Sequence, residues 1–519
     1  MRTTNHLTAC FVACAAWPTL AAASAGLPVT NPGDGDDPPE MDPRATYELP
    51  SATPEELEAL KARFFRAPKE TAEATSDSEW QSLRIGTYGS KSKINTPRPL
   101  LEWGRALYNN QVPTKEGTNL LGESNLLFPH FYVYGDWRTA VGYSDLGNDH
   151  TSRLATRLNL DLDLGITATE RIHALIRPLD RGNRFTQLGF SGLDEEEDEI
   201  LLDGNLETLF FEGDLGAMFG GPSSDSIPIA AGLVPLLFQN GVWVEDAFNG
   251  VAVSLPAKNS PKFDIANYDW TFFAGFDDVT TGADNFAEDT SIFGVTGFLE
   301  ATGGYWEIGY AYADVDSQID GLSYHNVTAA YSRRFGTLMS SSVRVIGNLG
   351  QDPDVGGIPV DKTADGVLLL LENSLITKNP YTVLPYFNVF AGFGTPQSLA
   401  RAAGAGGVLK NTGLNFEADA LSAFPALDAT GHDAVGAAIG IQYLFGLIES
   451  QLVLELAGQH AHGDDAKAAG DEFALGLRYQ KPMNIFGRRT ALMRFDAMYG
   501  TRDEAEDISG ARVEFRWKF

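Results

Sequence analysis

The sequence predicts an all-β protein: a transmembrane antiparallel up-and-down β-barrel of about 16–18 strands with a short, helix-containing N-terminal extension. The C-terminal residues 512–519 alternate strictly between apolar and charged side chains. From about residue 126 onward, similar alternating segments recur between turn residues. After the N-terminus no run of 18 apolar residues occurs, and a β-barrel needs none because its lipid-facing and lumen-facing residues alternate.

The C-terminal segment RVEFRWKF has the pattern of an amphipathic strand. Its apolar face carries Val513, Phe515, Trp517 and Phe519, and four charged residues occupy the other face. A strict two-residue period is typical of a strand. In a bilayer the apolar face must point to lipid, because an Arg or Lys on the lipid side near the midplane costs about 2–4 kcal/mol.

Residues 1–25 have the features of a secretory signal peptide. Arg2 precedes an apolar stretch, and an Ala-x-Ala cleavage site occupies residues 23–25. Cys10 and Cys14 both lie inside this segment, so the mature chain contains no cysteine for disulfides or thiolate metal sites. Lipoprotein processing at Cys10 is disfavoured, because almost no apolar segment precedes that residue.

The formal net charge of the chain is −31. This charge argues against nucleic acid as a partner. Solvated acidic loops are the favoured explanation, over an acidic binding surface.

Residues 26–80 are predicted to form an acidic, Pro-rich periplasmic extension. They hold 8 of the 26 prolines and lack hydrophobic periodicity outside one segment. That segment is a predicted helix at 54–66, capped by Thr53 and ended by Pro68. Such a helix can lie in the periplasm, plug the lumen or contact a partner. Residues 81–125 form a lead-in segment that can lie inside the barrel.

The signal peptide, the amphipathic last strand with its terminal Phe and the hairpin pattern from about residue 126 resemble Gram-negative outer-membrane β-barrel proteins of porin type. The resemblance implies that residues 126–519 form the barrel and reside in the cell outer membrane after secretion to the periplasm. It implies that the apolar face of the last strand closes the barrel and carries the signal for the barrel-assembly machinery. Outer-membrane lipid, lipopolysaccharide and further copies in a homo-oligomer are the implied partners. A secreted soluble β-protein is the competing interpretation.

The hairpin over residues 153–181 carries clustered basic side chains. In residues 153–164 leucines alternate with polar residues, so the leucines are expected to face lipid and the polar residues the lumen. After a short turn at 165–169, the next strand continues the alternation. The resulting pore-lining candidates are Arg153, Arg157, Arg171, His173, Arg177 and Arg181.

Antiparallel pairing around this turn is expected to compensate charges near the turn and to place arginines opposite each other at the far end of the hairpin. The expected pairs are Asp163 with Arg171, Asp161 with His173, Arg157 with Arg177, and Arg153 with Arg181. Opposed arginines are destabilising unless an anion lies nearby. Three anions remain open: a passing solute, the acidic run at 194–199 folding inward, and lipopolysaccharide phosphate. Neutralisation by the protein is favoured over solute selectivity.

No catalytic motif is present: the sequence lacks a nucleophile elbow, a phosphate loop and a dinucleotide fingerprint. We therefore expect no enzyme activity, no cofactor and no metal site, and we interpret the histidine-rich segment 460–465 as a solvated loop. The expected function is an outer-membrane porin or channel for passive diffusion of small polar or charged solutes. The alternative is a structural or partner-binding barrel, as a sheath for a periplasmic or redox partner or a polymer-export conduit.

Overall fold

A computed structural model of the chain describes residues 99–104, 125–147, 149–181, 184–192, 199–220, 225–282, 287–378, 382–417, 421–445, 450–463, 469–485 and 488–519. All of these residues belong to the compact unit that includes Pro97–Phe519. The predicted signal peptide, the extension 26–80 with its helix at 54–66, and most of the lead-in segment 81–125 lie outside the described residues.

The described residues form 24 β-strands. They are β1 Leu101–Gly104, β2 Leu127–Asp145, β3 His150–Thr167, β4 Arg171–Arg177, β5 Asp180–Arg181, β6 Arg184–Ser191, β7 Asn205–Asp214, β8 Pro228–Phe238, β9 Val244–Ser260, β10 Ile265–Asp277, β11 Ala287–Ala301, β12 Gly304–Ser317, β13 Tyr324–Phe335, β14 Met339–Leu349, β15 Asp354–Val355, β16 Ile358–Pro359, β17 Asp365–Leu375, β18 Val383–Thr395, β19 Ala400–Arg401, β20 Ala434–Phe445, β21 Ser450–Ala461, β22 Glu472–Ile485, β23 Arg488–Arg502 and β24 Ile508–Lys518. Among the described residues there is one short α-helix, α1, at Leu215–Phe219. No helix within the described ranges has the length and apolar character to cross a membrane.

The strands build a closed, antiparallel 18-stranded barrel, which confirms the predicted fold class. Most wall strands pair with the strand before and the strand after them in the sequence. The third wall strand is interrupted, because β4 and β6 both pair with β3 on the same side. The last strand, β24, pairs with β2 and closes the barrel, with Trp517 opposite Trp137.

The two faces of the wall differ in chemistry, as the alternation predicts. Large apolar side chains alternate along the outer face and are exposed; Val513, for example, is 47% exposed. Other exposed members on the closing strands are Trp137, Val141, Phe495 and Tyr499. The side chains between them are buried inside the barrel, among them Asp136, Asp496, Arg512 and Glu514. An apolar outer belt around a closed barrel fits a wall embedded in lipid, because closure leaves no strand edge unpaired.

Strand β1 extends the seam at which the barrel closes. The backbone groups of Phe519 and Gly135 bond to each other at 2.9 and 3.1 Å, and the Leu100 N–H donates to the Val133 carbonyl at 2.7 Å. Leu101 then lies opposite Val133. The described part of the lead-in segment therefore continues the line of β24 along the edge of β2, in the wall of the barrel.

The hairpin of β3 and β4 has a different register from the one expected. Asp163 lies opposite His173 and not opposite Arg171, a shift of two residues. The expected turn at 165–169 is wrong because β3 continues to Thr167 and β4 begins at Arg171. Arg157 is not opposite Arg177, because the interruption of the wall strand follows directly after Arg177.

Glu170 holds this turn in place. Its carboxylate accepts hydrogen bonds from Asn125 and from the Thr167 and Thr169 hydroxyls, and the Asp214 N–H donates to it at 3.4 Å. Burial alone would raise the pKa of the Glu170 carboxyl, but these donors outweigh burial and lower its pKa below the ordinary value. The carboxylate thus joins the starts of β2 and β4 to the end of β7.

We expect Glu170→Ala to lower the free energy of unfolding by about 2–3 kcal/mol at neutral pH, because it leaves buried donors without an acceptor. A lowered folded pKa contributes stability above the unfolded pKa of the group, and that stability disappears as the pH falls through the folded pKa. Urea unfolding of the refolded barrel in vesicles, at neutral and acidic pH, measures both effects. Glu504→Gln, in an exposed loop, is the control. An equal loss of stability for Glu170→Ala at both pH values would contradict the role of the ionised carboxylate.

Candidate functional site

Two segments fold into the barrel from the rim opposite the C-terminus. The first is the short connection 239–243 between β8 and β9. Its Trp243 is 0% exposed and donates from its indole nitrogen to Asn326 Oδ1 at 2.7 Å. The second is the lumen loop, residues 396–433 between β18 and β20, of which 396–417 and 421–433 are described. Both segments narrow the space that an 18-stranded wall encloses.

A buried ion cluster, here called the Glu245 latch, ties the lumen loop to the start of β9, next to the first segment. Glu245 is 3% exposed and lies at the start of β9. It contacts Lys410 at 2.6 Å and Arg401 at 3.4 Å, both on the lumen loop. Burial lowers the pKa of the Lys410 ammonium, and the Glu245 carboxylate opposes that shift. The Asn411 amide also donates to the Asn240 carbonyl at 2.8 Å, so the loop is held at several points.

The lumen loop reaches the wall on the far side through another set of contacts. Glu455 on β21 accepts hydrogen bonds from the backbone N–H groups of Leu414 and Asn415 at 2.7 and 2.8 Å. Glu417 on the loop pairs with Arg478 at 2.7 Å and with Arg494 at 3.3 Å. The loop therefore crosses the lumen from β9 to the wall formed by β21–β23.

Apolar packing supports the same crossing. Phe390 of β18 meets Phe416 of the loop edge to face, with ring centres 5.5 Å apart. Leu409 and Leu427 of the loop are buried in the same cluster. The guanidinium of Arg512 lies 4.7 Å from the ring centre of Phe424. These contacts make the loop a packed part of the barrel interior.

A network of charges lines the inner wall next to the loop. Asp496 on β23 is 0% exposed and bonds the guanidinium groups of Arg478, Arg494 and Arg512, each at 2.7 Å. Further pairs join Arg516 to Asp136 at 2.7 Å and Arg138 to Glu514 at 2.6 Å. None of these residues is among the six predicted pore-lining candidates. Alternation along β22–β24 places them on the inner face, but gives no sign that arginines from three strands share one carboxylate.

Three of the predicted pore-lining residues lie on β3 and β4, and two of them have a buried carboxylate partner. Arg157 pairs with Asp180 at 3.0 Å. Arg177 is 1% exposed and pairs with Glu207 at 2.9 Å. Arg153 donates to the Gln187 amide oxygen at 3.0 Å. The structure thus separates these arginines and gives each its own partner.

The other three candidates lie closer to the ends of the strands. Arg171 contacts Glu212 and lies 3.7 Å from Asp163. His173 is 3.2 Å from the Tyr134 hydroxyl. Arg181 is exposed and lies 3.9 Å from Glu199, the last residue of the acidic run. A pore-lining role for the six residues stays a prediction, and protein carboxylates lie beside several of them.

A cavity of about 510 Å³ lies below the lumen loop, near the rim where the C-terminus ends. It is lined by consecutive wall strands from β13 to β22 and is covered by loop residues 410–414 and 417. Its lining includes five serines, three asparagines, three glutamines and one threonine. The charged lining residues are Glu372, Lys410, Glu417 and Arg478. The space is therefore strongly polar.

The histidine-rich segment 460–465 is described as far as Gly463. His460 Nδ1 lies 2.8 Å from Asp471, and His462 Nε2 lies 3.0 Å from the Gly392 carbonyl. Within the described residues, no group of three or more His, Cys, Asp or Glu side chains could hold a metal ion.

Comparisons with known proteins identify the fold. No protein-family model matches the sequence, and no curated protein matches it. The solved structure of Pseudomonas aeruginosa OccK2 (OpdF) matches with a TM-score of 0.50 and 12% identity, over 75% of this chain and 97% of that chain. P. aeruginosa OccK5 (OpdH) matches with a TM-score of 0.49 and 12% identity, over 75% and 98% of the two chains. These structures are outer-membrane porins, and at this identity the likeness concerns the fold alone. The resemblance to porin-type outer-membrane barrels that the sequence suggested is therefore confirmed at the level of the fold.

Proposed function

We propose that the protein is an outer-membrane channel for passive diffusion of small polar solutes, with a bore set by the lumen loop. The observation that supports this most directly is the lumen loop itself, which the Glu245 latch and Glu455 hold across the barrel. An 18-stranded barrel without such a loop leaves a wide aqueous channel. A fixed loop with polar surroundings leaves a narrow polar path, as expected for a selective pore.

The outer surface of the barrel supports proposals about its partners. Val513, Phe515, Trp517 and Phe519 alternate along the closing strand, and the rings of Trp517 and Phe519 are 5.2 Å apart. We propose this face as the signal read by the barrel-assembly machinery. Lipopolysaccharide and further copies of the chain are proposed to contact other parts of the apolar belt.

Single-channel conductance of refolded residues 26–519 in a planar bilayer tests the channel proposal. We expect steady open conductance, and a salt gradient across the bilayer then reports the ion preference from the reversal potential. A correctly folded barrel that conducts no ions would overturn the proposal. That result would favour the structural or partner-binding barrel, which stays closed without its partner.

The same measurement tests the predicted role of the buried arginines. We expect Arg157→Ala and Arg177→Ala to shift the reversal potential toward cation preference, because each change removes one positive charge beside Asp180 or Glu207. Arg334→Ala is the matched control, since Arg334 is exposed and donates to the Gly336 carbonyl at the turn after β13. An unchanged reversal potential in both folded variants would remove these arginines from the conduction path.

A further inference from the structure

We infer that the cavity below the lumen loop is a subsite for a neutral, polyhydroxylated solute of sugar size. The inference rests on the proposed channel function and specifies its solute. The cavity volume of about 510 Å³ falls inside the range of about 300–1,000 Å³ that is common for small-molecule sites. Wall strands on one side and the lumen loop above give the cavity fixed boundaries. A solute that has passed the lumen loop therefore meets a preformed polar surface.

The charged groups around this cavity are already compensated by the protein. Lys410 pairs with Glu245 at 2.6 Å, Arg478 with Glu417 at 2.7 Å, and Glu372 with Arg344 at 3.0 Å. Two cationic and two anionic side chains line the cavity, so their formal charges cancel. An ion entering the cavity would have to displace one of these partners to gain a charge-assisted hydrogen bond. The described lining therefore gives no net preference for an anion or a cation.

The uncharged groups form two hydrogen-bonded ladders between neighbouring strands, one of three amides and one of two serines. Gln451 donates to Gln442 at 2.7 Å, and Gln480 donates to Gln451, so three amides on β20, β21 and β22 form one row. On the other side of the cavity, Ser332 of β13 donates to Ser342 of β14 at 2.9 Å. Both rows extend along the wall just above the C-terminal rim.

These ladders match the chemistry of a polyol. Each amide side chain offers two donor hydrogens and an acceptor oxygen, and each serine hydroxyl both donates and accepts. The hydroxyl groups of a sugar also donate and accept hydrogen bonds. They can therefore pair with those donors and acceptors of the amides and serines that are not used within the ladders. An apolar solute would desolvate these groups without replacing their hydrogen bonds, which is unfavourable. The lining thus selects for hydroxyl-rich, uncharged molecules.

Three probes of nearly equal size test the inference: glucose, the anion gluconate and the cation glucosamine. Liposomes that contain the refolded mature chain are exposed to an osmotic gradient of each probe, and the swelling rate reports its flux. We expect glucose to enter faster than either charged probe. The triple variant Gln442→Leu, Gln451→Leu and Gln480→Leu is expected to reduce glucose flux about fivefold, as the loss of hydrogen bonding predicts.

The control variant is Gln318→Leu, in the loop after β12 and outside the cavity. Equal fluxes for the three probes, or unchanged glucose flux in the triple variant, would overturn the subsite while leaving the channel proposal intact. Wild-type barrels that conduct no KCl would instead overturn the channel function, and the subsite inference with it. Faster gluconate than glucose entry would show that the cavity prefers an anion.

Discussion

Replacing residues 397–432 by a short Gly-Ser linker is expected to raise single-channel conductance several-fold. The change removes the segment that crosses the lumen, including the short pairing of β19 with β9, while the pairing between neighbouring wall strands remains. Without that segment, a barrel of this strand number has an open aqueous interior. Conductance in a planar bilayer, compared with the wild type in the same salt, measures the effect.

The control for this deletion removes the exposed hairpin of β15 and β16, Asp354–Pro359, at the same rim. This hairpin lies outside the wall sheet, so its removal is expected to leave conductance near the wild-type value. A milder variant, Glu245→Ala, breaks the latch to Lys410 and Arg401 and is expected to produce brief openings of higher conductance. If the linker variant folds and conducts like the wild type, the lumen loop does not set the bore.

Asp496→Ala is expected to reduce the free energy of unfolding by about 3–5 kcal/mol, the usual cost of removing one partner from a buried ion pair. The Asp496 carboxylate contacts three guanidinium groups and is the shared anion of β22, β23 and β24. Its loss leaves Arg512 buried with its main anionic partner removed. Urea unfolding of the barrel in vesicles measures the change.

Asp471→Asn is the matched control, because the Asp471 side chain is 44% exposed and pairs only with His460 among the ion pairs of the described residues. An exposed pair of this kind contributes about 0–1 kcal/mol. A loss below about 1 kcal/mol for Asp496→Ala would mean that the buried network contributes little net stability. It would also indicate that water or rearranged side chains replace the lost carboxylate.

Much of the fold could be predicted because a membrane barrel obeys a local rule. Side chains in a strand alternate between two faces, and lipid on one side requires that every second residue be apolar. This rule assigns the outer face of β24, the class of the fold and a strand number close to the one observed. The sequence of β3 likewise identifies its leucine face, because that inference needs only the residues of the strand itself.

The rule does not extend to the turn between β3 and β4. Alternation is unchanged when a hairpin shifts by two residues, since every side chain stays on its own face. The choice between the two registers was made by hydrogen bonds around Glu170, including one from Asn125 and one from Asp214. These partners are far from Glu170 in the sequence. Alternation alone therefore predicts the wrong turn residues and the wrong arginine pairs.

By itself, therefore, the sequence determined that this chain builds a lipid-facing barrel closed by its last strand. Only the tertiary structure decided what occupies the inside of that barrel. The lumen loop has no periodic pattern, and its position depends on contacts with Glu245, Glu455 and Arg478, which come from strands far apart in the chain. Closing the barrel brings those strands around one space, and the buried charges then require partners that the loop and the opposite wall supply.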